Sequence, residues 1–87
     1  MWKVTFSREA IKSLSKVDVK YKKNIVEFLS DLENWSNNFD RWDIKKLKGL
    51  DNSFRCRVGV YRIVFKVYKK EIEIEVVKIG QRKDIYN

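Results

Sequence analysis

The stretch that decides the fold reads SFRCRVGVYRIVF and covers residues 53–65. Apolar and polar side chains alternate on both sides of Gly59-Val60, which is the period of a half-buried β-strand. A glycine at the first position of a two-residue turn favours a tight β-hairpin. The sequence therefore predicts two antiparallel strands that are joined at Gly59-Val60.

Folding this hairpin at its turn sorts the side chains onto two faces. The inward face is apolar throughout, with the predicted pairs Val58/Tyr61, Cys56/Ile63 and Phe54/Phe65. On the outward face Arg57 lies opposite Arg62, and Arg55 follows one step along the strand. Like charges directly opposite each other are unfavourable, so this arrangement favours a bound anion. The densest biological anion is the phosphate backbone of a nucleic acid.

The composition limits the class of protein. The chain has 87 residues, which predicts one small domain over residues 1–87. Its formal net charge of +8 predicts an acidic partner: a nucleic acid, an acidic protein or an anionic membrane surface. Histidine is absent, which excludes imidazole acid–base chemistry and metal sites with histidine ligands.

The single cysteine and the first residues of the chain are informative about the cellular compartment. One cysteine cannot form an internal disulfide, so the chain is compatible with a reducing cytosol. Cys56 falls on the apolar face of the hairpin, where it is predicted to be a small core residue. Met1 leads directly into an alternating segment without a signal peptide or membrane-spanning run. We therefore expect a cytoplasmic protein without a membrane partner.

Two helices are predicted before the hairpin. The alternating segment 2–6 reads as a short strand, and Ser7 can cap a first helix that ends near residues 16–17. Asp18 can cap a second helix. The apolar positions of that second helix follow helical spacing, namely Tyr21, Ile25, Phe28, Leu29 and Leu32. Residues 34–49 have no reliable period and are predicted to form a loop.

Two more strand segments complete the predicted fold. The second hairpin strand continues to about Tyr68, and the last strand runs from Glu71 to Ile79. Pairing Tyr68 with Glu71 keeps the inward face apolar, and the alternation breaks over residues 76–79, which predicts a bulge or a strand end. The order strand-helix-helix-strand-strand-strand predicts an α+β fold, with an antiparallel sheet and both helices on one face.

The outward sheet face is the candidate site. It is predicted to hold Arg55, Arg57, Arg62 and Lys66. Gly80 is predicted to end the last strand, so that Arg82 and Tyr86 can fold back over the sheet. Because a planar guanidinium binds two phosphate oxygens at once, such a cluster suits RNA.

RNA cleavage by this cluster needs no metal or cofactor, because fixed cations can stabilise the charge that develops when a 2′-hydroxyl attacks its phosphate. Arginine stays protonated and cannot act as the base. Tyr86 is the best remaining base, and Lys48 and Lys83 are weaker candidates. Two alternatives stay open: the face binds an anionic partner without catalysis, or its arginines merely solvate the sheet, with Glu73 and Glu75 as neutralising neighbours.

Taken together, the residues resemble the RelE/ParE toxin superfamily, and its RelE-type branch most closely. The resemblance extends over essentially the whole chain. It rests on FSREA at 6–10, LKG at 47–49, FRCRVGVYRIVF at 54–65 and VKIGQRKDIY at 77–86. It implies a RelE-like fold and a toxin of a type II toxin–antitoxin pair, which enters the ribosomal A site and cuts mRNA to leave a 2′,3′-cyclic phosphate.

The resemblance also implies roles and partners. Arg57, Arg62, Arg82 and Tyr86 fall on the family's catalytic positions, and Arg55 on a basic strand position that binds RNA. We add Lys48, Lys66 and Lys83 as further RNA-binding candidates. The implied partners are a cognate antitoxin, the ribosome with its mRNA, and operator DNA through the antitoxin only. The alternatives are a ParE-like toxin that inhibits DNA gyrase by binding, and an inactive member that acts only in antitoxin and operator complexes.

Overall fold

The computed structural model describes residues 1–35 and 39–81 of the chain. Two helices and five strands make up this part, and the predicted α+β class is confirmed. The helices pack their apolar sides against one face of the sheet. In chain order the elements are β1 (Lys3–Phe6), α1 (Arg8–Ser15), α2 (Val19–Asp31), a 3-10 turn (Leu32–Asn34), β2 (Asp43–Lys46), β3 (Ser53–Val58), β4 (Tyr61–Tyr68) and β5 (Glu73–Gln81).

The sheet is mixed rather than purely antiparallel. Its strand order is β1-β5-β4-β3-β2, and β1 runs parallel to β5 while the other neighbours are antiparallel. The expected antiparallel sheet is corrected in this respect. The first and last strands are far apart in sequence, and the alternation within each strand carries no information on the direction in which they pair.

Strand β2 lies inside the segment that was predicted to be a loop. It is a four-residue edge strand that pairs antiparallel with β3, and Ile44 is the partner of Cys56. The Leu47 N–H donates to the Ser53 carbonyl at 2.8 Å and continues this pairing. A strand this short contains too few residues to establish a period, so its sequence does not distinguish it from a loop.

The predicted arginine hairpin is confirmed pair by pair. In the β3–β4 ladder Cys56 is opposite Ile63, and Arg57 is opposite Arg62. Gly59 has a φ of 60°, the left-handed region that a glycine adopts without steric cost. The two-residue turn therefore fixes the register of the hairpin.

The register of the second hairpin differs by two residues from the prediction. Tyr68 pairs with Glu73 rather than Glu71, because residues 69–72 form a longer turn in which Ile72 has a φ of 51°. A branched side chain at positive φ is unexpected from sequence. A shift of two leaves each side chain on its predicted face.

The predicted bulge is present at Val77. Val76 pairs with Phe65 and Lys78 pairs with Val64, so Val77 is the extra residue on β5. The prediction that Gly80 ends the last strand is wrong, because β5 continues through Gly80 to Gln81. The glycine sits within the ladder opposite Arg62.

Both helix caps follow the prediction. Ser7 accepts a hydrogen bond from the Ala10 N–H, and the Asp18 carboxylate accepts one from the Lys20 N–H. In the residues described, neither helix is long and apolar enough to cross a bilayer.

The core lies between the helices and the inner sheet face. Phe28 and Phe65 are fully buried at its centre, and Trp35 and Trp42 pack against them edge-on. Cys56 is also fully buried, and burial raises the pKa of its thiol to about 12. This confirms Cys56 as a core residue.

Candidate nucleic-acid interface

The outer face of the sheet divides into two regions of different charge. Outward-facing residues that are partners on neighbouring strands form rows across the sheet. We use "cationic half" for the two rows that contain Arg57 and Arg55, and "paired half" for the next two rows, which contain Lys66 and Tyr68. The cationic half comprises Asp43, Arg57, Arg62, Gly80, Lys45, Arg55, Val64 and Lys78, and the paired half comprises Ser53, Lys66, Glu75, Thr5, Tyr68, Glu73 and Lys3. The predicted arginine cluster belongs to the cationic half.

The cationic half brings three of the predicted arginines together. Arg57 and Arg62 are directly opposite on neighbouring strands, and Arg55 lies one outward position along β3. Arg62 is buried, with 7% of its surface exposed, whereas the Arg57 side chain is about half exposed at 48%. Gly80 opposite Arg62 carries no side chain, so it adds no group that competes for the space above the arginine.

Asp43 is a charged residue of this region that sequence reasoning missed. Its Oδ2 accepts a hydrogen bond from Arg57 Nε at 2.7 Å, and its Oδ1 lies 3.3 Å from Arg55 Nη1. The hydrogen bond from Arg57 lowers the pKa of the Asp43 carboxyl, and the Arg55 bond lowers it further. The aspartate thus relieves the repulsion between the two arginines of β3. The one sequence signal was the alternation Asp43-Ile44-Lys45.

A groove runs beside these arginines. It has a volume of about 610 Å³ and its lining combines six cations with two apolar residues. The lining residues are Lys45, Lys46, Leu47, Lys48, Arg55, Arg62, Val64 and Lys78. Within the described part of the chain the lining contains no carboxylate, so the charged groups that an anion meets in the groove are cations.

A smaller cleft adjoins the groove at the tip of the hairpin. Its volume is about 220 Å³, and Arg57, Gly59 and Arg62 contribute to its walls. Arg62 lines both spaces. Arg62 therefore lies where the cleft and the groove meet, and Arg57 lies in the cleft beside it, which is an arrangement that suits an extended chain of phosphates.

Comparison with known proteins identifies the family. A family model described as "ParE toxin of type II toxin-antitoxin system, parDE" matches residues 4–86. Toxin RelE3 of Methanocaldococcus jannaschii is 35% identical over 86 residues, which is 98% of this chain and 96% of the relative. The chain belongs to the RelE/ParE toxin superfamily. Within it the protein is a toxin of the RelBE type.

Solved structures agree with this assignment. The toxin superposes on the RelB-RelE antitoxin–toxin complex from Methanococcus jannaschii with a TM-score of 0.82 and 33% identity, covering 95% of each chain. It superposes on the archaeal RelE-RelB complex from Pyrococcus horikoshii OT3 with a TM-score of 0.80 and 25% identity, covering 93% and 94%. The RelE-like fold is therefore confirmed along nearly the whole toxin.

The structure brings some predicted site residues of the toxin together and separates another. Arg55, Arg62 and Lys48 line the groove, and Arg57 lines the adjoining cleft. Lys66 lies in the paired half, where its ladder partner is Glu75, and it does not contribute to the groove. Arg82, Lys83 and Tyr86 are outside the described residues. Three lysines of the groove escaped the sequence reasoning, namely Lys45, Lys46 and Lys78.

In the paired half of the toxin each lysine has a glutamate as its ladder partner. Glu73 is the ladder partner of Lys3, and Glu75 is the partner of Lys66. The Tyr68 hydroxyl donates to Glu75 Oε1 at 3.2 Å. Burial and this bond raise the pKa of the Tyr68 phenol. An RNA strand on this half would meet acids beside every lysine.

Two tyrosines anchor the arginine hairpin to α2. The Tyr61 hydroxyl accepts a hydrogen bond from the Asp18 N–H at 3.0 Å, and the Tyr21 ring meets the Tyr61 ring edge-on. A Cβ added at Gly59 would lie 2.3 Å from the Tyr21 ring. The turn is thus held closely against the start of α2, which fixes the strands that carry Arg57 and Arg62.

The toxin has a second large groove, and it has a different character. It has a volume of about 680 Å³ and lies between β1, α1 and α2, with Trp2, Phe6 and Leu29 among its mostly apolar lining. It is on the helical side of the sheet, away from the arginines. In the described residues no group of three or more side chains of the types His, Cys, Asp and Glu could hold a metal ion.

Proposed function

We propose that this toxin is a ribosome-dependent endoribonuclease that cleaves mRNA in the A site. The observation that carries the proposal is the groove whose lining holds six cations and no carboxylate among the described residues. The RelE relatives support the choice of RNA as the partner. Phosphate contacts of this kind bind tightly but without sequence preference. This fits a nuclease whose mRNA substrate is presented by the ribosome.

The chemistry follows from fixed positive charge. The 2′-oxygen attacks the adjacent phosphorus after losing its proton, the bond to the 5′-oxygen breaks, and that oxygen leaves as a 5′-hydroxyl once it gains a proton. The other product is a 2′,3′-cyclic phosphate. Arg57 and Arg62, with Arg82, stabilise the charge on the non-bridging oxygens, which is worth about 2.7–4 kcal/mol per donor in comparable sites. No step calls for a metal or another cofactor.

The remaining roles concern binding and proton transfer. Arg55, Lys48 and the three newly found groove lysines position the RNA backbone, and Lys83 extends this contact. Tyr86 is the proton acceptor or stacks on a base. A free phenol has a pKa of about 10, so neighbouring arginines have to lower it for the first role. Lys66 becomes a weaker RNA-binding candidate because of its position in the paired half.

We also propose the partners and location of the toxin. Its relatives from M. jannaschii and P. horikoshii are described as complexes of RelE with RelB. By analogy a RelB-type antitoxin binds this toxin, and operator DNA is reached only through that antitoxin. Translating ribosomes place its site of action in the cytoplasm.

The test of this proposal uses purified toxin with ribosomes that carry a defined mRNA. Arg57→Ala and Arg62→Ala are compared with Lys70→Ala, which removes one positive charge from the exposed turn at the far end of the sheet. We expect each arginine variant to cut at least about 100-fold more slowly and Lys70→Ala to cut like the wild type. Circular dichroism monitors folding. Unchanged cleavage by a folded Arg62→Ala variant contradicts the proposed site.

A second candidate function is inhibition of DNA gyrase by binding. The observation in its favour is that the matching family model describes ParE toxins. A supercoiling assay with purified gyrase separates the two functions. The nuclease proposal predicts normal supercoiling together with mRNA cut within codons, and gyrase inhibition without mRNA cleavage reverses the assignment. A folded protein with neither activity acts only in antitoxin and operator complexes.

A further inference from the structure

Among the described residues of the cationic half, Asp43 is the one carboxylate. Asp43 is on the edge strand β2, and its ladder partner is Arg57. Its two oxygens divide between the arginines of β3: Oδ2 accepts from Arg57 Nε at 2.7 Å, and Oδ1 accepts from Arg55 Nη1 at 3.3 Å. A single side chain therefore sets the relative position of two groups that would otherwise repel each other.

Asp43 binds Arg55 more extensively than it binds Arg57. Arg55 Nη1 is also bonded to the Asp43 carbonyl oxygen at 3.2 Å, and its side chain is only 11% exposed. Arg57 is bonded through Nε alone to Asp43, and its side chain is 48% exposed. Arg55 is thus tethered to both backbone and side chain, whereas Arg57 is held by one bond at the open side of the site.

A carboxylate and a phosphate offer the same kind of acceptor to a guanidinium. Both present anionic oxygens that bind the planar fork of arginine with charge-assisted hydrogen bonds. The Asp43 side chain is half exposed at 50%, so it can move away without opening the core. A phosphate that approaches Arg57 from solvent can therefore replace Asp43 Oδ2 without disturbing the tether on Arg55.

We propose that Asp43 is a positioning residue that occupies the place of the RNA phosphate until substrate arrives. It aligns Arg55 and Arg57 in the free toxin, and the scissile phosphate takes over its bond to Arg57 while Arg55 stays fixed. Asp43 also lowers the affinity for RNA that the ribosome does not hold in place, because such RNA has to displace the carboxylate by itself. This inference rests on the proposed function of the groove and names a further residue of that site.

The first experiment separates binding from turnover. Asp43→Asn is compared with Asp43→Glu and with Glu71→Gln, which removes one negative charge from the exposed turn between β4 and β5. Binding is measured with a short single-stranded RNA carrying 2′-O-methyl groups, which cannot be cut, over a series of salt concentrations. Turnover is measured as kcat and KM on mRNA-programmed ribosomes.

Asp43→Asn is expected to bind RNA more tightly, with a slope of log affinity against log salt that is steeper by about 0.7, as for one additional phosphate contact. Its kcat is expected to fall about tenfold or more, because two arginines lose their fixed alignment. Asp43→Glu keeps the carboxylate and should recover part of the rate. Glu71→Gln should match the wild type in slope and kcat.

The second experiment needs no activity. In the free toxin the Arg57 Nε–H is bonded to Asp43, so its NMR signal should exchange slowly with water, and it should exchange faster in Asp43→Asn. Adding the 2′-O-methyl RNA should shift this signal in the wild type. A folded Asp43→Asn variant with wild-type slope, kcat and Nε–H exchange overturns the proposal. If that variant does not fold, Asp43→Ser takes its place, and a folded Asp43→Ser variant with wild-type slope, kcat and Nε–H exchange overturns the proposal.

If the proposed function is wrong, the same experiments give different results. Wild-type toxin that neither binds the RNA nor cuts mRNA contradicts the nuclease assignment, whatever the Asp43 variants do. Wild-type cleavage with Asp43→Asn equal to Glu71→Gln in every measurement leaves the nuclease assignment intact and removes the role of Asp43.

Discussion

The two halves of the outer sheet face both include β4 and β5, and they differ in how their charges are matched. In the paired half Lys66 faces Glu75 and Lys3 faces Glu73. The groove beside the cationic half is lined by six cations, and Asp43 is the carboxylate that bonds to two arginines of β3. Both halves contain cations, so the presence of cations alone does not identify the site. The sharing of one carboxylate, Asp43, by Arg55 and Arg57 beside a groove whose described lining contains no acid does.

Strand β4 makes this contrast clearest. Arg62 and Lys66 are four residues apart on the same strand and point to the same side. Arg62 is opposite Arg57 and Gly80, whereas Lys66 is opposite Ser53 and Glu75. The neighbours on the adjacent strands, rather than the residue itself, decide whether a carboxylate lies opposite a cation in the ladder.

The largest expected effect concerns the turn that holds the cationic half. Gly59→Ala places a methyl group 2.3 Å from the Tyr21 ring and an alanine at a φ of 60°. We expect a loss of about 2–4 kcal/mol in the free energy of unfolding, from overpacking and left-handed backbone together. Urea denaturation measures it. Cleavage should fall as well, because this turn joins the two strands that carry the arginines.

Gly49→Ala is the matched control for that prediction. Gly49 also has a positive φ, of 81°, but an added Cβ would meet no atom within 4 Å. The free energy of unfolding of Gly49→Ala should fall by only about 1–2 kcal/mol, which is the cost of a left-handed backbone at a residue with a Cβ. Equal destabilisation of the two variants would contradict the close contact between Tyr21 and the hairpin turn.

The next effect compares one lysine from each half. Lys45→Ala removes a cation from the groove, and Lys66→Ala removes one that faces Glu75. Lys45→Ala should weaken binding of single-stranded RNA roughly fivefold at about 0.1 M salt and reduce the salt slope by about 0.7. Lys66→Ala should change neither quantity. Filter binding at several salt concentrations measures both, and equal losses would remove the distinction between the halves.

A smaller effect is expected from pH. The bond from Arg57 lowers the pKa of the Asp43 carboxyl, so its stabilising contribution is complete above the unfolded-state pKa of about 3.9. The contribution is lost as pH falls through the lower, folded-state pKa. The melting temperature of the wild type should exceed that of Asp43→Asn at neutral pH, and the gap should close at pH values below about 3. A gap that persists in acid contradicts the ion pair as its source.

The smallest effect lies in the paired half. Burial and the bond to Glu75 raise the pKa of the Tyr68 phenol. Glu75→Gln should move this pKa back toward its usual value of about 10, as followed by the ultraviolet absorbance of the phenolate. Stability should change by less than about 1 kcal/mol, and RNA binding should not change. Stronger RNA binding by Glu75→Gln would mean that the carboxylate shields a usable cation.

The local parts of this fold could be predicted from sequence. The β3–β4 register follows from Gly59-Val60, because a two-residue turn leaves one way to align the flanking alternation. Both helix caps follow from Ser7 and Asp18. The β4–β5 register was missed by two residues, since Ile72 gives no sign that it adopts a positive φ.

The non-local parts could not be predicted in the same way. The parallel contact of β1 with β5 joins strands separated by almost the whole chain. Strand β2 has a single inward apolar residue, Ile44, and the role of Asp43 depends on that strand being present. Sequence reasoning therefore found the arginines but not their shared carboxylate, and it assigned Lys66 to a region that the sheet register excludes from the groove.

The bulge at Val77 has a consequence for how such a groove can arise. Before it, odd-numbered residues of β5 point outward, namely Glu73 and Glu75; after it, even-numbered residues do, namely Lys78 and Gly80. In a regular ladder that kept Val77 opposite Val64, Lys78 would turn toward the apolar interior and Ile79 toward the outer face, so the bulge is what keeps Lys78 on the outer face. Which side chains lie on the outer face of the toxin's sheet thus depends on the number of residues in β5 as well as on their identity.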